Sequence, residues 1–126
     1  MPSYAKTVLV VDDDPNILSA FKDFFRKEEC SIIVSSSSER ALELLKQHSV
    51  DLIITDIRLK EQSGVTFLLE VKRVWQDIPV IVMTGYPEVI NESDVKHYGA
   101  DYFFQKPLSL EKFREAVRKC LNRNSN

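Results

Sequence analysis

Five short apolar runs recur along the chain, and most end in a polar residue with phosphate or metal chemistry. Val8-Leu9-Val10-Val11 runs into Asp12-Asp13, Leu52-Ile53-Ile54 into Thr55-Asp56, and Val80-Ile81-Val82-Met83 into Thr84. Phe103-Phe104-Gln105 leads to Lys106-Pro107, and a shorter run spans Ile32 to Ser35. Continuous apolar runs of this length read as parallel strands covered on both faces, and the loops at the carboxyl ends of such strands are where open α/β sheets place their sites. Acids, a hydroxyl and an amine would then meet at one edge.

Segments with helical periodicity lie between the runs, so the pattern predicts five βα units. The first strand covers Thr7 to Val11. Asp14 is the N-cap of a first helix, with Pro15 at its first position, where a missing N–H costs nothing. Its inward face is Ile17, Leu18, Phe21, Phe24 and Phe25. Ser36-x-x-Glu39 has the spacing of a capping box and opens a helix carrying Leu42 and Leu45. Gly64 breaks the loop after Asp56. A third helix with Val65, Leu68, Leu69, Lys72 and Trp75 follows, until Asp77-Ile78-Pro79 stops it. Pro87 to Tyr98 carries only a thin apolar stripe of Val89, Ile90 and Val95, with Gly99 as its C-terminal glycine. Ser109 caps a last helix whose face is Leu110, Phe113, Val117 and Leu121. Residues 1–122 form one domain in this reading, and 123–126 are a polar tail or the start of a linker.

Composition narrows the function classes. The 126 residues suit a single domain, and an apolar fraction of 44% is enough for a core. A formal net charge of −2 supplies no basic field, so no direct contact with nucleic acid is expected. Cys30 and Cys120 lack a CxxC spacing, and no apolar run approaches the roughly 18 residues needed to cross a bilayer. The expectation is a cytoplasmic protein with free thiols and no membrane contact. His48 and His97 stand alone in helical segments and read as solvated or capping residues.

The candidate chemistry lies at the strand ends. Adjacent carboxylates in a shielded pocket repel unless a cation sits among them, which fits Asp12-Asp13 once Asp56 enters from a neighbouring strand. Oxygen ligands of this kind suit Mg²⁺, which binds through one or two carboxylates, waters and a phosphate oxygen. The Thr84 hydroxyl can donate to a phosphoryl oxygen and the Lys106 ammonium can neutralise another. Phosphoryl transfer needs little more than in-line positioning, a metal and such charges, with a carboxylate as nucleophile.

The chain resembles the response-regulator receiver domain of two-component signalling over essentially its whole length. The matching motifs are Val-Val-Asp-Asp-Asp-Pro with Asp12 and Asp13, Ile-Ile-Thr-Asp with Asp56, Met-Thr-Gly with Thr84, and Phe-Gln-Lys-Pro with Lys106. The resemblance implies a single (βα)5 flavodoxin-like domain with a parallel five-stranded sheet in the order 2-1-3-4-5. It implies phosphorylation of Asp56 by a phosphohistidine on a sensor histidine kinase or histidine phosphotransfer protein, with Mg²⁺ held by the Asp13 and Asp56 side chains and the Arg58 backbone carbonyl, and with Asp12 acting through water. It further implies a switch made by Thr84 and the aromatic residue Phe103, with Tyr102 as the less favoured choice, and a cis Lys106-Pro107 bond. The signal is expected to leave through the fourth helix, fifth strand and last helix, toward an output domain or a second copy.

Two departures stand out. Lys60 occupies a position where many receivers carry proline, and Arg58 and Tyr86 put bulky side chains beside the site, so slow loss of the phosphoryl group is expected. A phosphorylation-independent interaction module is the main alternative. An aspartyl-nucleophile phosphatase is more remote, because the acid/base position two residues after Asp56 is Arg58. A flavin carrier is disfavoured by the acids after the first strand, which would repel a cofactor phosphate.

Overall fold

The structure, a computed structural model, describes residues 5–57, 64–85 and 91–123. The elements alternate: β1 (Thr7–Val11), α1 (Pro15–Lys27), β2 (Ser31–Ser35), α2 (Ser38–Gln47), β3 (Leu52–Asp56), α3 (Gly64–Val74), β4 (Val80–Thr84), α4 (Glu92–His97), β5 (Tyr102–Gln105) and α5 (Leu110–Arg123). The strands form one parallel sheet in the order β2-β1-β3-β4-β5. The chain leaves β1 toward β2 and returns to β3 on the other side. That reversal opens a crevice at the carboxyl ends of β1 and β3, the place where doubly wound sheets bind ligands.

Side-chain alternation along the strands supplies two cores. Leu9, Val11, Ile53, Val80 and Val82 face α2, α3 and α4, where Ala41, Leu44, Leu45, Phe67, Leu68, Val71 and Val95 are buried against them. Val8, Val10, Leu52, Ile54, Ile81 and Met83 face α1 and α5 and pack on Phe21, Phe25, Phe113, Val117 and Leu121. Because β1, β3 and β4 are covered on both sides, every residue of β3 and β4 is buried, as the continuous apolar runs require.

Local chemistry starts and stops the helices. The Asp14 carboxylate accepts from the Asn16 N–H at 2.9 Å, and Pro15 occupies the first helical position. Asn91 caps α4 by accepting from Asp94 N–H at 2.9 Å. α1 and α4 end alike. Glu29 N–H reaches Arg26 O and Cys30 N–H reaches Phe25 O, while Gly99 N–H reaches Lys96 O and Ala100 N–H reaches Val95 O. Both are Schellman motifs with a left-handed residue after the cap, Glu29 at φ 58° and Gly99 at φ 111°. The Lys106-Pro107 bond is cis.

Several expectations are corrected. Ser37, not Ser36, caps α2 by accepting from Arg40 N–H at 3.2 Å. Arg40 at the third helical position cannot reciprocate, so there is no capping box; in a run of four serines every register offers a cap. On α3 the buried set is Gly64, Phe67, Leu68 and Val71, whereas Leu69 is 47% exposed. Starting the 3.6-residue period at Gly64 accounts for both. Leu110 is 59% exposed, and α5 presents Phe113, Ala116, Val117, Cys120 and Leu121 instead. α4 is shorter than the stripe from Pro87 to Tyr98 implied, and Val89 and Ile90 lie outside the described residues. Cys30 and Cys120 are buried free thiols, and His48 and His97 are exposed.

Candidate functional site

The ends of β1, β3 and β4 and the loop after β5 converge on the crevice. Asp12 follows Val11 directly and is held by its own backbone, its N–H donating to Ser35 O at 3.0 Å. Its side chain is wholly withdrawn from water, with one oxygen accepting from Asp14 N–H at 2.9 Å. Asp56 ends β3 at 7% exposure. The Lys106 ammonium lies between them, 3.0 Å from Asp12 Oδ2 and 2.5 Å from Asp56 Oδ2. Thr84, fully buried at the end of β4, accepts the Lys106 backbone N–H at its carbonyl at 2.7 Å, which ties the lysine's backbone to that strand end.

Burial raises the Asp12 carboxyl above the usual aspartate value, and the Asp14 N–H and Lys106 offset only part of that. Burial alone would lower the Lys106 ammonium. Its hydrogen bonds to Asp56 and Asp12, and their charges, outweigh that effect and leave the lysine raised. One cation is thus shared by two acids. Asp13, next in sequence to Asp12, sits half-buried at the same edge, so the strand-end acids outnumber the one ammonium that meets Asp12 and Asp56.

Among the described residues no three acids, histidines or cysteines are arranged around a common point as metal ligands. The Lys106 ammonium takes the position between Asp12 and Asp56. The donor chemistry still fits a small hard cation, because hard oxygens with surplus negative charge and an undercompensated buried carboxylate are what a divalent ion stabilises. Arg58 and Tyr86 lie outside the described residues.

Two supporting residues escaped sequence reasoning in this role. The Thr55 hydroxyl donates to Asp56 O at 3.0 Å inside the core, and its only signal was a polar residue within an apolar run. Gly64 was legible as a loop break, but its larger part is clearance. A Cβ there would stand 2.5 Å from both Asp56 O and Ile57 O, so only glycine lets α3 begin against the backbone of Asp56. Phe103 pairs with Val82 and packs with the core beside α3 and α4, whereas Tyr102 and Phe104 pack on the opposite face.

The family model for the response regulator receiver domain matches residues 8–118. The chain belongs to the response-regulator receiver family. Sporulation initiation phosphotransferase F of Bacillus subtilis is 30% identical over 119 residues, covering 94% of this chain and 96% of that protein. The polar-differentiation response regulator DivK of Brucella ovis is 31% identical, covering 92% and 96%. The heme response regulator HssR of Staphylococcus saprophyticus is 32% identical, but this chain spans only 52% of its length. Among solved structures, the response regulator TrrA of Thermotoga maritima in complex with Mg²⁺ and BeF is 31% identical, with TM-score 0.83 and coverage of 92% and 99%. A receiver domain from Clostridium thermocellum superposes with TM-score 0.88 at 27% identity, covering 95% and 97%. This receiver domain has the flavodoxin-like fold of its relatives and the phosphoacceptor role of a two-component signalling module. No helix among its described residues is long and apolar enough to cross a membrane.

Proposed function

We propose that Asp56 is the phosphoacceptor of this receiver and that Asp12, Asp13, Thr84 and Lys106 serve the transfer. The observation that carries this is the Lys106 ammonium bridging Asp12 and Asp56 at the switch point of the sheet, 94 and 50 residues away in sequence. An Asp56 carboxylate oxygen attacks the phosphorus of a phosphohistidine, and a P–O bond forms as the P–N bond breaks and the imidazole leaves. Lys106 then exchanges its contact with the carboxylate for one with a phosphoryl oxygen, while the Thr84 hydroxyl donates to another. Asp12, Asp13, Asp56 and the Arg58 carbonyl would hold Mg²⁺, which supplies charge neutralisation to the transferring oxygens. The domain assists its own phosphorylation and hydrolysis but has no external substrate.

The donor in this reading is a sensor histidine kinase or a histidine phosphotransfer protein in the cytoplasm. The near full-length match to a sporulation phosphotransferase supports a relay carrier, with residues 1–122 as the functional unit and 123–126 as a tail or linker. The message leaves through Thr84 and Phe103 to the surface of α4, β5 and α5, toward an output domain or a second copy.

Acetyl phosphate with Mg²⁺ should label wild type by one phosphoryl group, and EDTA or Asp56→Asn should abolish it. Metal-dependent labelling that persists in Asp56→Asn overturns the assignment.

A further inference from the structure

The switch reading requires α4 to move, and the structure shows which end is held. Val95 is the one buried side chain among the six residues of the helix. The turn that follows its C-terminal end is fastened by a polar contact set outside the phosphoacceptor pocket, centred on Lys72 of α3. The Lys72 ammonium donates to Ile78 O at 2.7 Å in the loop before β4 and lies 3.6 Å from Asp101 Oδ2 in the turn before β5. Asp101 Oδ2 accepts the Val80 N–H at 2.9 Å, and Asp101 N–H donates to Val80 O at 2.8 Å. Lysine and aspartate are only 19% and 21% exposed, so the contact is shielded and holds better than a solvated surface pair. The Lys72 stem runs beneath Gly99. A Cβ on Gly99 would meet Lys72 Cγ at 2.8 Å, and its φ of 111° already excludes other residues from that turn.

We propose that Lys72 is a positioning residue that locks the Gly99–Asp101 turn to the start of β4, so that α4 swings on phosphorylation about its C-terminal end. Three segments are joined by this one side chain: the end of α3, the entry to β4 and the turn into β5. Among the described residues no such tie joins the Asn91 end of α4 to another element. The displacement is therefore largest near Glu92 and vanishes at Gly99, which turns a small shift at Thr84 and Phe103 into a tilt rather than a translation. This rests on the phosphoacceptor reading for the event that triggers the tilt.

The test compares wild type, Lys72→Met, which keeps the stem but removes the ammonium, and Lys72→Arg, which restores a cation. Amide exchange of the unphosphorylated proteins should be at least 10-fold faster in Lys72→Met at Val80 and from Gly99 to Asp101. The β1 and β3 amides should be unchanged, and Lys72→Arg should recover part of the protection. With Mg²⁺ and beryllofluoride, amide shifts in wild type should fall from Glu92 toward Gly99, and in Lys72→Met they should spread through Asp101. Acetyl phosphate labelling of Asp56 should stay within 2-fold in all three proteins. Unchanged exchange in Lys72→Met, or wild-type shifts as large at Gly99–Asp101 as at Glu92–His97, overturns the pivot while labelling keeps the phosphoacceptor reading. Absence of labelling in wild type overturns both.

Discussion

The α1–α5 pair on one face of the sheet and α4 on the other are built to different standards. On one, α1 and α5 run 13 and 14 residues and close over an aromatic cluster in which Phe113 contacts Phe21, Phe24, Phe25 and Phe104 at centroid distances of 5.3 to 6.5 Å. Glu28 at the end of α1 fastens the pair by accepting from Arg114 at 3.2 Å and Arg118 at 2.9 Å. On the other, α4 has six residues and one buried side chain. Leu44, Leu45, Phe67, Leu68 and Val71 of α2 and α3 fill the rest of that face, so the contrast is local to α4, the element with least to lose by shifting. A receiver needs both, since a few kcal/mol of phosphoryl contacts can bias α4 but could not repack α1 or α5.

The sharpest way to break this comparison is to truncate one side chain on each face. Phe113→Ala should cost about 3–5 kcal/mol in urea unfolding, as large aromatic-to-alanine changes in cores do. Val95→Ala should cost about 1–2 kcal/mol from two lost methyl groups, with more rapid exchange confined to α4. Equal costs would mean that α4 is as firmly packed as α5.

The two Schellman ends offer a finer test, because the same hydrogen bonds are closed by different residues. Gly99→Ala meets both the left-handed φ and the Lys72 stem, and should destabilise by about 1–3 kcal/mol. Glu29→Gly removes the left-handed penalty at φ 58° but loosens the unfolded chain, so it should stabilise by less than about 1 kcal/mol. A loss of stability in Glu29→Gly would show that its side chain holds the α1 end in some other way.

The smallest effect concerns pH. Burial, then the charges of Glu28 and Asp51, raise the Cys30 thiol above its ordinary value. The folded state keeps a proton that the unfolded chain releases, so this contribution is complete below the ordinary thiol range near pH 8.5 and declines as pH rises above it. Cys30→Ala should flatten the fall in stability through that range. An unchanged slope would place the titrating group elsewhere.

The strands and α1 were legible in the sequence because burial on both faces leaves continuous apolar runs, and because Asp14-Pro15 is a strong helix start. Asp12, Asp56, Thr84 and Lys106 were legible as strand-end residues, and the fold carries all four to one edge. The lysine bridge was not. Sequence pattern placed a cation among the acids as a metal, while the geometry puts the Lys106 ammonium between Asp12 and Asp56, and a contact across 94 residues leaves no local trace. The α3 face was misjudged at Leu69 because the phase of a short stripe depends on its first residue, and Gly64 has no side chain to mark it. The Lys72 contact was invisible for a related reason: a lysine on a helix reads as solvated until the carbonyl and carboxylate it meets are known.

The central claim is that Asp56 alone carries the phosphoryl group, and chemical trapping tests it most directly. An acyl phosphate is reduced by borohydride to an alcohol, which converts the modified aspartate to homoserine. After labelling with acetyl phosphate and Mg²⁺, reduction and peptide mass spectrometry should find homoserine at position 56 and unchanged aspartate at positions 12 and 13. Homoserine at position 12 or 13, or unreduced aspartate at position 56 in a fully labelled sample, would contradict the account.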